Sequence, residues 1–127
     1  MIKSPIEMSN DDIANHKFVV VHGRLMFGNT ICPMVKVAEV NAVDKVTKAY
    51  INFDLGATLR RIKKEEIGVV LPTSINHRFK LVGFAEDEEE LIKIMTNNIR
   101  HQAKAFIETQ TQNIQLVQDW LDEGSDE

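Results

Sequence analysis

The chain has 127 residues, 43% of them hydrophobic and only 6% aromatic, which fits one domain with a small core. Its net charge of −4 is not that of a protein that coats nucleic acid non-specifically. No apolar run reaches the roughly eighteen residues that mark a membrane span, and Met1-Ile2-Lys3-Ser4-Pro5 lacks the apolar stretch of a signal peptide.

Residues 1–16 read as an arm, loose as far as residue 8. Within it, Ser9 offers an N-cap to one helical turn that ends at Asn15, with Asp12 three residues on. Lys17 to His22 is rich in β-branched residues and reads as a strand ending at Gly23. Gly28-Asn29-Thr30 and Pro33 mark a loop. Met34 to Val40 alternates as a strand, with Val35 and Val37 on one face, and Asn41 to Lys45 reads as a turn. Val46 to Phe53 follows, with Thr47, Ala49, Ile51 and Phe53 on one face. Asp54-Leu55-Gly56 turns the chain again.

Thr58 to Glu66 mixes helical and strand signals, and the neighbouring strands favour a strand. Ile67 to Leu71 is a short apolar strand stopped by Pro72, with a loop through Ser74. His77 to Phe84 makes the last strand, with Phe79, Leu81 and Gly83 on one side. Strands at such regular spacing predict, over residues 17–84, a small antiparallel barrel or curled sheet of Src-homology-3 type. Closure of this kind hides strand edges that would otherwise pair with other chains.

From residue 86 to residue 123 there is neither Gly nor Pro. An apolar stripe runs through Ile92, Met95, Ile99, Ala103, Phe106, Gln110, Ile114, Val117 and Leu121, widened by Leu91, Ile94, Ile107 and Trp120. Its steps of three, four and four residues predict a long, nearly straight helix over 85–123. The fold class is therefore α+β, a curled sheet followed by a C-terminal helix, with an acidic tail at 124–127. At 1.5 Å per residue that helix is about 54 Å long, roughly twice the width of a body of this size. Either the far half packs on another chain, or the helix breaks near Thr109–Asn113 and folds back. In the first case Ile99, Ala103, Phe106, Ile114, Val117, Trp120 and Leu121 form the interface of a homo-oligomer. In the second, Trp120 and Leu121 cap the chain's own core.

Charge is segregated. Residues 1–84 hold 12 Lys and Arg against 8 Asp and Glu, and residues 85–127 hold 3 against 11. The acids at Glu86–Glu90 complement the positive end of a helix; a metal or a basic partner is the other use for such a cluster. Arg60, Arg61, Lys63 and Lys64 are the densest basic group, with Arg24, Lys45 and Lys48 as extensions. They are either contacts to an acidic partner or nucleic acid, or charges that keep an edge strand soluble. Aromatic residues for stacking on bases are few.

His16, His22, His77 and His101 have no metal-ligand spacing, and no phosphate-binding glycine loop or nucleophile elbow occurs. An enzyme is not expected, nor a cofactor. Cys32 is alone, so it reads as a small hydrophobe and fits a reducing, cytoplasmic compartment.

Val19-Val20-Val21-His22-Gly23-Arg24, a loop with Gly28, and Val35-Lys36-Val37-Ala38-Glu39-Val40 together resemble the opening of small KOW/Tudor-like barrels. They also resemble short accessory proteins of bacteriophages. The resemblance covers residues 17–71 at most and departs from the KOW pattern in glycine spacing, with Gly23 and Gly28 five apart. It implies binding to RNA, DNA, or a ribosomal or transcription-complex surface, with Arg24 as the one carried-over contact. The expectation is thus a non-enzymatic binding protein, a regulator or inhibitor of a host macromolecule. The alternatives are a nucleic-acid module and a structural assembly subunit.

Overall fold

The computed structural model describes residues 2–54, 60–73 and 78–124, without the side chains of residues 39–41. The expected turn and strand residues Leu55–Leu59, the loop residue Ser74, the strand start at His77 and the acidic tail beyond Gly124 lie outside the described residues. Among the described residues six strands form one curled antiparallel half-barrel: β1 (Lys17–Phe27), β2 (Thr30–Val46), β3 (Tyr50–Phe53), β4 (Arg61–Lys63), β5 (Leu71–Pro72) and β6 (Arg78–Phe84). Their spatial order is β4-β3-β2-β1-β6-β5. A short helix α1 (Asn10–Ala14) precedes the sheet and a long helix α2 (Glu88–Gly124) follows it. Among the described residues no helix is long and apolar enough to cross a membrane.

Strand alternation sorts the core into two layers. Phe18 and Val20 of β1 pair with Phe84 and Val82 of β6 on one face, where they meet Ile13 of α1 and Ile51, Phe53 and Ile62 of β3 and β4. The rings of Phe18 and Phe84 lie 4.5 Å apart, and Phe53 meets Phe18 edge-on at 5.3 Å. Val19, Val21 and Leu81 point to the opposite face and meet Leu91, Met95 and Ile99 of α2. Two glycines admit the helix. A Cβ at Gly83 would lie 2.5 Å from Leu91 Cδ1, and one at Gly23 would lie 2.5 Å from Met95 Sδ.

Several boundaries differ from the sequence reading. β1 does not end at Gly23; it runs to Phe27, because Gly23 serves close approach of a helix rather than a turn. The expected loop at Gly28–Pro33 is a two-residue hairpin, with Gly28 at φ +61° and pairing resumed at Phe27 opposite Thr30. Pro33 stands inside β2, where the register shifts between Arg24 and Met26. The expected turn at Asn41–Lys45 is absent. β2 continues through it, pairing with β1 up to Ala42 and with β3 from Val43. One register shift lies just before this segment, between Val37 and Glu39, and another within it, between Val43 and Lys45, and such bulges bend a strand.

Lys64–Glu66 is a 3-10 turn rather than strand. Ile67 and Gly68 turn rather than extend. Gly68 has φ +80°, and its N–H reaches Val82 O at 2.8 Å. Ser9 caps α1 as its sequence indicates, accepting from Asp12 N at 3.2 Å. Residues 2–8 are tied down: Pro5 is buried, Lys3 N donates to Asp87 Oδ2 at 2.9 Å, and Lys3 Nζ reaches Glu86 Oε1 at 2.8 Å.

Candidate functional site

α2 is one uninterrupted helix of 37 residues. The hairpin alternative is overturned: the chain does not double back at Thr109–Asn113. Leu91 and Met95 are fully buried and Ile99 is 5% exposed, burial that contributes about 1.5–3 kcal/mol for each side chain. Phe106 is half-buried beside Leu25, Met26 and Phe79 at the end of the sheet. Every residue from Ile107 to Gly124 is exposed. The idea that Trp120 and Leu121 cap the core is likewise overturned, since Trp120 is 71% and Leu121 55% exposed.

The expected interface set therefore divides. Ile99 is committed to the chain's own core, so it is corrected out of any interface. Ala103 and Phe106 sit at the margin, half-buried. Ile114, Val117, Trp120 and Leu121 stand in solvent, joined by Ile107 and Leu116. Leu116 was missed by sequence reasoning because it lies off the stripe. An apolar face this long on a solvent-exposed helix is a mark of an interaction surface.

In the free half Gln115 Nε2 donates to Asp119 Oδ1 one turn on, at 2.9 Å. The acids Glu88, Glu89 and Glu90 occupy the first turn, beside the helix dipole's positive end. No group of three or more His, Cys, Asp and Glu gathers as a metal site among the described residues. His16 instead donates to Asp12 O at 2.6 Å and lies 3.3 Å from Glu86 Oε1.

The basic residues fall into two separate places. Lys48, Lys63 and Lys64 line a groove of about 520 Å³ with Ile6, Tyr50 and Glu65. Arg61 stacks on Tyr50 at 4.4 Å, and Lys64 Nζ donates to Asn10 Oδ1 at 2.8 Å. Arg60 is exposed at the head of β4, its carbonyl taken by Phe53 N at 2.8 Å. β4 is an edge strand whose Arg61 and Lys63 face water while Ile62 is buried, so these charges also guard the edge.

Arg24 does not join them. It pairs with Met34, nine residues along β2 from where β3 begins to pair, roughly 30 Å of strand. It sits with His22, Lys36 and Arg78 around a second groove of about 310 Å³. There it leans on Phe27 at 4.8 Å and donates to Cys32 O at 3.4 Å. Register alone makes this cluster: His22 lies between Lys36 and Lys80, and Arg24 between Met34 and Arg78. No sequence signal joins those positions. Cys32 is half-buried in β2.

No protein-family model matches this chain, and neither curated proteins nor solved structures offer a match.

Proposed function

We propose that the chain is a small non-enzymatic binding protein that self-associates through the free half of α2. One observation carries this reading: an unbroken helix leaves Ile107, Ile114, Leu116, Val117, Trp120 and Leu121 in water. The docked first half nucleates the helix, so its far half forms readily, but the apolar face it carries into water is the kind of surface that a partner covers. A second copy supplies the same face at the same concentration. The KOW/Tudor-like resemblance over residues 17–71 adds the finer reading, a phage-type regulator or inhibitor that occupies a host macromolecule. A structural assembly subunit shares the same helix contact.

Light scattering across a concentration series tests self-association. The expected result is a dimer or larger oligomer that Val117→Ser with Leu121→Ser converts to monomer. A wild-type chain that stays monomeric at high concentration overturns the reading.

A second reading, contact with the phosphates of nucleic acid, is favoured by the convergence of Lys48, Lys63 and Lys64 on one groove. Binding to a DNA or RNA oligonucleotide should weaken as salt rises, and Arg61→Glu with Lys63→Glu should flatten that slope. A slope unchanged by the double variant rules this groove out.

A further inference from the structure

The free half of α2 carries its own instructions for how a second copy lies against it. Phe106 is turned towards Leu25 and Phe79, so the solvent-facing stripe passes through Ile107 instead. It then reads Ala103, Ile107, Gln110, Ile114, Val117, Leu121, with steps of four, three, four, three and four. This is a 3.5-residue repeat, the period of a two-stranded left-handed coil, whereas the docked half follows a different period against the sheet. The order of steps is the same read from either end. Ala103 with Leu121, Ile107 with Val117, and Gln110 with Ile114 are all centred on position 112.

Charge selects the direction. Arg100 and Lys104 are the last cations of the chain, and Asp119, Asp122 and Glu123 lie beyond them. A parallel partner would set those acids beside their own copies. An antiparallel partner centred on position 112 sets them level with Arg100 and Lys104.

The same arrangement accounts for Trp120. Running the second helix the other way brings like flanks together, and Trp120 shares its flank with Phe106 and Asn113 at steps of seven. The partner's indole then lies beside Phe106. A cavity of about 250 Å³, lined by Leu25, Met26, Phe79, Ala105, Phe106 and Thr109, opens there at the end of the sheet.

We infer that two copies pair as an antiparallel coil centred on position 112, each seating Trp120 against Phe106 and the sheet end of the other. This rests on the self-association proposed above and adds its direction, register and anchor.

Cysteine cross-linking in a Cys32→Ser background tests it. Mixed Ala103→Cys and Leu121→Cys chains are expected to form a disulfide-linked pair on oxidation. Leu121→Cys alone is expected to stay unlinked, because the two Leu121 positions stand 18 residues apart along the coil, about 27 Å, far beyond disulfide reach. Trp120→Ala is expected to weaken the dimer about tenfold or more, as loss of a buried aromatic anchor does.

Efficient linking of Leu121→Cys to itself means a parallel pair and overturns the inference. A dimer by light scattering with no 103–121 link overturns the register while sparing self-association. A monomer overturns both. A full-strength dimer in Trp120→Ala removes the anchor.

Discussion

From Leu91 to Ile99, α2 surrenders its apolar side chains to the sheet; from Ile107 to Leu121 it carries the same kind of side chain into water. Helix-forming signals do not separate the two halves, since both lack Gly and Pro and both hold an apolar stripe. What separates them lies across from the helix. The docked half passes over Gly83 and Gly23, whose missing side chains let Leu91 and Met95 sink onto β6 and β1. Beyond Phe106 no further strand among the described residues receives it, because β1 turns back at Gly28. Helix formation and helix burial are thus separate events. Propagation from a docked first half needs little help, whereas covering the second half needs a partner.

Paired substitutions should break this contrast if it is wrong. Leu91→Ala is expected to lower the unfolding free energy by about 2–5 kcal/mol, the cost of a buried leucine cavity. Ile114→Ala, measured by denaturant titration where the protein is monomeric, should change it by no more than about 0.5 kcal/mol. Equal losses at the two positions would mean that the far half is covered within one copy.

Overpacking sharpens the comparison at smaller scale. Gly83→Ala puts a methyl group against Leu91 and should cost about 1–3 kcal/mol. Leu91→Ala in the same chain should relieve part of that cost, giving a non-additive pair. Gly124→Ala, with nothing within 4 Å of its added Cβ, should leave stability untouched.

The smallest effect concerns how the docked half is entered. The Lys3 hydrogen bond, and the Lys3 and His16 charges beside it, hold the Glu86 carboxyl below its ordinary value. A carboxylate lowered on folding stabilises the fold above its unfolded pKa, and that contribution fades as pH falls through the folded one. Limited proteolysis of residues 2–8 should therefore quicken at acid pH. Glu86→Gln should show the quicker rate already at neutral pH, and the two chains should converge in acid. Identical rates at neutral pH would show that the Glu86 carboxylate does not hold the arm.

Much of this molecule was legible in the chain. The Ser9 cap, the β-branched run at Phe18–Val21, the alternation at Ile51 and Phe53, and the acids opening α2 are local signals, decided by backbone sterics, pairing periodicity and the helix dipole. The absence of Gly and Pro marked residues 85–123 as helical, but whether the helix continues through Thr109–Asn113 was left open by the residues and is answered by the structure. Four further things belonged to the tertiary structure. Gly23 looked like a stop and proved a crossing point, because a missing side chain means nothing until something approaches it. Asn41–Lys45 looked like a turn and became a bend in β2, because two different partner strands claim its two ends. Arg24, Lys36 and Arg78 met only through strand register, which depends on residues far apart in the chain. The division of the apolar stripe at Phe106 has the same origin: periodicity fixes which side of a helix is greasy, and only the extent of the sheet decides how much of it is covered.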